Sequence, residues 1–142
     1  MKKILLISLT FLFLSCSSSS DDNSNNSNNS SNQITPPSWI QGTWLQTMST
    51  DPLITNPVFR FKSNDFCVIS SSLEICQAQS IQQAAQSGAS TNVEQTINDN
   101  EYRLSMTIQG QTTTYRFIKI SNTKIEYVNP TNGLPNLPLT KQ

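Results

Sequence analysis

Strict alternation of apolar and polar side chains over residues 102–109 is the feature that most constrains the fold. A period of two residues places one set of side chains on each face of a strand, whereas a helix repeats every 3.6 residues. Gly110 ends the alternation, and residues 112–120 resume an extended pattern with Tyr115 and Phe117 on one face. The sequence therefore predicts an antiparallel hairpin in the C-terminal half of the chain.

Several other short segments have the composition of strands and are bounded by turn-forming residues. Residues 58–62 alternate apolar and charged side chains, which is typical of a half-buried strand. Short strands at even spacing favour an antiparallel meander, so we expect a mostly β fold that forms a barrel or a sandwich. The predicted strands cover residues 43–48, 58–62, 66–70, 73–76, 93–97, 102–109, 112–120 and 124–128.

Two segments break this strand pattern. The glutamine-rich segment 77–88 predicts a short helix or an ordered loop over residues 77–86, followed by a stop at Ser87-Gly88. This segment either caps one end of a barrel or forms an excursion from its surface. The proline-rich tail from Asn129 is not expected to form a central strand, because proline lacks the backbone N–H of the ladder. The apolar residues at helical spacing are Ala78, Ile81, Ala84 and Ala85.

The amino terminus has the three parts of a secretory signal. Met1-Lys2-Lys3 is positively charged, residues 4–14 are apolar apart from Ser8 and Thr10, and a small residue precedes Cys16. The apolar run is shorter than the roughly 20 residues that a membrane-spanning helix needs. We therefore expect residues 1–15 to be a signal peptide.

The end of this signal resembles the lipobox of bacterial lipoproteins. The resemblance rests on Leu12-Phe13-Leu14-Ser15-Cys16, although Phe13 and Leu14 depart from the commonest form. It implies cleavage before Cys16 and a lipid anchor, in which acyl chains such as palmitate are carried on that cysteine. Two or three chains hold a protein stably on a membrane, whereas one chain binds only marginally.

A polar linker follows the anchor. Residues 17–33 are all Ser, Asn, Asp or Gln, so no apolar side chain offsets the entropy of ordering, and we expect a disordered tether over residues 16–37. Ser20-Asp21-Asp22 resembles the export signal of surface-exposed lipoproteins in some Gram-negative bacteria. The expected location is the outer membrane with cell-surface exposure; the alternatives are an ordinary solvated linker and the periplasmic face. The folded domain is expected over residues 38–142.

The two cysteines of this domain predict a disulfide in an oxidising compartment. If Ser71-Ser72 is a two-residue hairpin loop, Ser70 pairs with Leu73, and Cys67 lies opposite Cys76 at a non-hydrogen-bonded position, where side chains are closest. Ser-Ser is a poor sequence for the turns that such loops favour. A longer loop, or two buried free thiols, are the alternatives.

Composition excludes several kinds of chemistry. The chain has no histidine, so Ser-His or Cys-His nucleophiles and histidine-ligated zinc are excluded. Lysine and arginine balance aspartate and glutamate at nine each and form no cluster, which makes nucleic acid a poor partner. We expect no metal, no cofactor and no enzymatic activity. A small hydrolase that uses two carboxylates is a weaker alternative.

The start of the domain resembles the lipocalin-like domains of small bacterial lipoproteins. The resemblance spans residues 39–128 and rests on the Gly-x-Trp of Gly42-Thr43-Trp44, on Phe59-Arg60-Phe61 and on residues 64–67. It implies a small lipocalin-like (calycin-like) barrel in which Trp44 packs across the closed end beneath an arginine, for which Arg116 is the candidate. The chain lacks the later Thr-Asp-Tyr motif of that family and is short for eight full strands.

Aromatic residues on the predicted strands either line a pocket for an apolar ligand or fill a small core, and we expect them to fill it. The expected function is a non-catalytic binding module for a small apolar ligand or a protein partner, held on a membrane by Cys16. The alternative is an interaction, inhibitor or assembly-accessory lipoprotein with a filled core and no ligand. The candidate residues are Trp44, Phe59, Phe61, Tyr102, Tyr115, Phe117 and Tyr127.

Overall fold

The computed structural model describes residues 29–30, 32–47 and 55–142. This part of the chain is mostly β, as predicted, with one short helix. The elements are β1 (Asn29–Ser30), β2 (Gly42–Thr47), β3 (Thr55–Lys62), β4 (Asp65–Ser70), β5 (Leu73–Cys76), α1 (Gln77–Gln86), β6 (Thr91–Ile97), β7 (Glu101–Ile108), β8 (Gln111–Lys119), β9 (Lys124–Tyr127) and β10 (Leu137–Lys141).

All described strands form one antiparallel sheet in the order β1-β6-β7-β8-β9-β10-β2-β3-β4-β5. Two meanders, β2–β5 and β6–β10, are joined by α1, and β10 returns to pair with β2. The sheet curls into a half-barrel, which confirms the prediction of a small barrel-like fold. The helix contacts β4 and β5 near one end of the strand order and β6 near the other end.

The β7–β8 hairpin confirms the strand prediction from the alternating segment. Tyr102 lies opposite Phe117, and Leu104 lies opposite Tyr115, so the apolar members of both strands share the concave face. The turn at Gln109-Gly110 has positive φ at both positions (51° and 80°), and glycine adopts this conformation without a steric penalty. The hairpin brings two half-buried or buried apolar rows to one side of the sheet.

The prediction for the proline-rich tail is wrong, because β10 lies within the sheet between β9 and β2. Pro138 pairs with Glu126 of β9, whereas β2 pairs only with Thr140 and Lys141. Pro138 thus has a neighbouring strand on one side only. A proline is tolerated in a strand when its missing N–H is not needed by a second neighbour.

The domain begins earlier than predicted, since residues 33–37 pack on the fold. Ile34 is 1% exposed and belongs to the hydrophobic core, together with Ile40. The buried Gln95 of β6 accepts a hydrogen bond from Thr35 N (2.8 Å) and donates one to the carbonyl oxygen of Gln33 (3.0 Å). The expectation that the tether extends to residue 37 is therefore wrong for this segment, because an apolar side chain and a buried amide hold it in place.

The amino-terminal predictions lie outside the described residues. They comprise the signal peptide of residues 1–15, the anchor Cys16 and the export signal Ser20, Asp21 and Asp22. Within the part of the chain that the structure describes, no helix is long and apolar enough to span a bilayer.

The helix predicted over residues 77–86 is confirmed as α1. Ile81 is buried in the core, and Asp65 of β4 accepts hydrogen bonds at one oxygen from Phe66 N (2.7 Å) and Ala78 N (2.9 Å). Cys76, the residue that precedes the helix, supplies no side-chain cap. Asp65 therefore caps α1 from a neighbouring strand and satisfies an N–H of its first turn, which has no partner within the helix.

Candidate functional site

The interior of the half-barrel is packed with aromatic rings. The centroids of Phe59 and Phe117 lie 5.3 Å apart, and those of Phe61 and Phe117 lie 5.0 Å apart in an edge-to-face arrangement. Phe66, which the candidate set omitted, is fully buried and stacks on Phe61 at 4.9 Å. The structure buries Trp44, Phe59, Phe61, Tyr102 and Phe117, and leaves Tyr115 and Tyr127 half-buried at the margin of this cluster.

Trp44 is held by a backbone carbonyl and covered by a lysine. Its Nε1 donates a hydrogen bond to the carbonyl oxygen of Ile40 (2.7 Å), and the Lys141 Nζ lies 5.6 Å from the ring centroid. Arg116 instead pairs with Glu101 at 2.8 Å, so the prediction that it covers Trp44 is wrong. Arg116 alternates with inward-facing neighbours on β8 and points outward, whereas Lys141 lies directly opposite Trp44 in the sheet register.

A cleft of about 370 Å³ opens at the free end of the β7–β8 hairpin, beside the start of α1. The strand register places apolar and polar side chains side by side in this cleft, because Met106 pairs with Thr113 and Ile108 pairs with Gln111 on the concave face. Its lining contains apolar, amide and hydroxyl groups and no ionisable carboxylate or basic side chain. The cleft is lined by Gln77, Met106, Ile108, Gln109, Gln111, Thr113 and Tyr115.

Several polar groups of this cleft are available to a ligand. Gln77 donates one long hydrogen bond, 3.5 Å, to the carbonyl oxygen of Ile75. The side chains of Gln109, Gln111 and Thr113 make no hydrogen bond to any other described residue. Burial raises the pKa of the Tyr115 phenol, with a smaller contribution from Tyr127. The cleft thus presents unengaged donors and acceptors beside an aromatic ring.

A second cavity, about 480 Å³, lies on the outer face of β7 and β8. It contains one carboxylate, Glu101, which Arg116 binds through two hydrogen bonds of 2.8 and 3.1 Å. This bidentate contact lowers the pKa of Glu101, against a smaller opposing effect of burial. A glycosidase of the common two-carboxylate kind needs both carboxylates facing one cleft, and neither of these two cavities contains such a pair. The lining residues are Glu101, Arg103, Thr114, Arg116, Val128 and Pro130.

The short strand β5 leaves two large apolar side chains exposed on the concave side. Leu73 is 61% exposed and Ile75 is 47% exposed. Ile75 pairs with Val68, and Val68 pairs with the core residue Phe59, so these side chains share one face. The apolar face of the sheet therefore extends past the packed interior to side chains that are largely exposed.

The predicted disulfide and its hairpin are confirmed. Cys67 and Cys76 are bonded and lie directly opposite each other, while Ser70 pairs with Leu73. The two loop residues, Ser71 and Ser72, both adopt positive φ (47° and 73°), as a primed two-residue turn requires. The turn thus forms despite the poor sequence, since strand pairing and the disulfide fix its ends.

Asp65 approaches both sulfurs, and the three potential ligand atoms lie within 4.8 Å of one another. Metals are bound by thiolates, whereas here the sulfurs of Cys67 and Cys76 are bonded to each other. One Asp65 oxygen is also occupied by two backbone N–H groups. Cys67 and Cys76 therefore form a structural cross-link, and Asp65 beside them caps a helix.

Comparison with known proteins gave no match: no family model, no curated protein and no solved structure matches the chain. The lipoprotein and lipocalin-like resemblances therefore rest on the quoted sequence motifs alone.

The sequence did not point to the cleft. Its amides come from the turn residue Gln109, from Gln111 and from the first residue of α1, Gln77. The density of glutamine in the segment 77–88 was the available signal. Whether those glutamines line a cleft depends on where the helix packs, which the local pattern does not specify.

Proposed function

We propose that the chain is a membrane-anchored envelope lipoprotein whose half-barrel is a non-catalytic binding module, with its occupant on the open concave face. One observation carries this proposal: aromatic rings fill the interior, while the apolar face continues outward to an open cleft and to exposed Leu73 and Ile75. An apolar surface that continues beyond the core commonly marks a binding site.

The proposed anchor is Cys16, acylated after cleavage of the signal peptide and placed in the outer membrane. Surface exposure is proposed from Ser20-Asp21-Asp22, with the periplasmic face of the same membrane as the alternative. The disulfide between Cys67 and Cys76 supports a location outside the cytoplasm, because such bonds persist in oxidising compartments.

A non-catalytic role is supported by the state of three carboxylates of the domain. Glu101 is paired with Arg116, Glu74 is paired with Arg60 at 2.6 Å, and Asp65 caps a helix. A general acid or base needs a carboxyl group that is free to exchange a proton with a substrate in a cleft.

The proposal is tested by native mass spectrometry of the full-length chain solubilised from membranes. We expect the protein to carry an added non-covalent mass beyond its acyl chains, and Ile108→Asp to abolish that mass, because Ile108 lines the cleft. The matched control is Thr107→Asp, which places the same charge one residue away on the opposite face and should retain the mass. Loss of the mass in both variants, or its absence from the unmodified protein, contradicts the proposal.

The anchor is tested separately with Cys16→Ser. This variant should leave the membrane fraction or accumulate as an uncleaved precursor, and intact-mass analysis of the unmodified protein should show acyl chains. An unmodified protein that retains Met1 and carries no lipid would contradict the anchor while leaving the binding module to its own test.

A second candidate function is an interaction or accessory protein that takes no small ligand. The exposure of Leu73 and Ile75 on one strand supports it, since paired apolar side chains without cover favour a protein contact. In this case the added mass is that of a protein and depends on Leu73→Ser with Ile75→Ser, whereas Ile108→Asp has no effect.

A further inference from the structure

We infer that the cleft lined by Gln109, Gln111 and Tyr115 binds a neutral saccharide. The inference deepens the proposed binding function and rests on it. It concerns the chemistry of the cleft, which differs from that of the packed interior of the half-barrel.

Charge is the first discriminator. No lysine, arginine, aspartate or glutamate lines the cleft, whereas the cavity on the outer face contains Glu101, Arg103 and Arg116. A charged ligand that left water for the cleft would lose its hydration without gaining an ion pair. The ligand that fits the cleft is therefore neutral.

Hydrogen-bonding capacity is the second discriminator. The amide side chains of Gln109 and Gln111 each offer two donors and an acceptor, and the Thr113 hydroxyl both donates and accepts. These groups make no hydrogen bond to other described residues. Ligand hydroxyl groups, which also donate and accept, can pair with all of them, whereas an alkyl chain would leave them unpaired.

The apolar part of the lining can pack against the C–H face of a sugar ring. Tyr115 is half-buried, with its ring 4.8 Å from Phe66 in an edge-to-face contact that holds it in position. On the neighbouring strand, Met106 lies opposite Thr113 and Ile108 lies opposite Gln111, further along the same face. A sugar ring has a C–H face that packs on such a surface while its hydroxyl groups reach the amides, and tyrosine serves this dual role well.

The cleft is lined by β7 and by the half of β8 that precedes its pairing with β9, since that pairing covers only Phe117, Ile118 and Lys119. The saccharide assignment therefore rests on the side chains of the cleft. The volume of about 370 Å³ lies at the lower end of the range for small-molecule sites.

The test is a side-chain amide NMR titration of the full-length chain in a zwitterionic detergent without a sugar headgroup. The probes are the neutral disaccharides maltose, cellobiose and N,N′-diacetylchitobiose. We expect at least one of them to shift the side-chain NH₂ signals of Gln109 and Gln111 in a saturable manner. Gln111→Ala should weaken that affinity about threefold to tenfold, the effect of losing one or two hydrogen bonds. The control Gln82→Ala removes an exposed amide from α1 and should leave the affinity unchanged.

Palmitate serves as an apolar probe in the same experiment and separates the two proposals. If palmitate shifts the signals of Ile108 and Tyr115 and no disaccharide does, the binding site stands and the saccharide assignment is wrong. If neither class of probe shifts them, the saccharide assignment fails, and the native mass measurement decides whether the binding module fails as well. Equal weakening by Gln111→Ala and Gln82→Ala would also overturn the assignment, because the effect would not originate in the cleft.

Discussion

Replacing the buried amide of Gln95 tests how the amino-terminal segment is held on the fold. Gln95 is 4% exposed and takes part in four hydrogen bonds: its oxygen accepts from Thr35 N and from the Tyr102 hydroxyl, and its nitrogen donates to the Gln33 carbonyl and the Thr35 hydroxyl. Gln95→Leu keeps the volume and removes all four. The Tyr102 hydroxyl is then buried without a partner, whereas Gln33 and Thr35 are exposed and can bond to water.

The expected loss of stability follows from this difference. An orphaned buried hydroxyl costs about 1–3 kcal/mol, and each bond exchanged for water costs less, so we expect Gln95→Leu to lose about 2–4 kcal/mol of unfolding free energy. For a domain of this size the melting temperature should fall by at least roughly 8 °C. Gln82→Leu, an exposed amide of α1, is the matched control and should change it little.

A double-mutant cycle with Tyr102→Phe isolates the mechanism. On its own, Tyr102→Phe should cost about 1 kcal/mol; in the Gln95→Leu background it should cost less or restore stability, because it removes the orphaned hydroxyl. Hydrogen exchange adds a local readout, since the Thr35 amide should lose protection in Gln95→Leu. Additive effects in the cycle, or unchanged protection of Thr35, would refute the reasoning.

Three further predictions concern the helix cap, the hairpin turn and the tyrosines. Asp65→Ala should lower the unfolding free energy by about 1–2 kcal/mol in denaturant titrations, because Ala78 N loses its cap; Asp65→Asn should retain most of it, and an equal loss in both variants would argue against capping. Ser71→Asn with Ser72→Gly should raise the free energy of unfolding by about 1 kcal/mol in denaturant titrations, because both positions have positive φ; a decrease would contradict the turn assignment. Burial raises the pKa of all three tyrosines above the ordinary value of 10.0, so the stability they contribute is complete below pH 10 and declines as the pH rises further. Tyrosinate absorbance of the folded chain at pH 10 should therefore be less than half of its maximum, and half-ionisation at that pH would contradict the burial.

Local pattern was sufficient for most of the strands and for the disulfide. Period-two alternation over residues 102–109 specifies both the strand and its buried face, since a one-residue slip would turn every side chain over. Counting outward from Ser71-Ser72 placed Cys67 opposite Cys76 for the same reason: a hairpin fixes its own register. These features depend on residues close to one another in sequence.

Features that depend on distant contacts were missed. Ile34 lies in a polar segment, and its burial depends on the hydrogen bond of its neighbour Thr35 to Gln95, a residue 60 positions further along the chain. Lys141 covers Trp44 only because β10 returns beside β2. The cleft depends on where α1 packs against the sheet. No local period encodes these placements, because they are set by the packing of the whole domain.

The central claim is that the occupant binds the open concave face, and site-specific photo-crosslinking in living cells tests it most directly. A benzophenone amino acid is installed at Ile108, inside the cleft, and in a matched strain at Thr107, one residue away on the opposite face. The account predicts a light-dependent adduct from position 108 and none from position 107. An adduct from position 107 alone, or equal adducts from both, would contradict it.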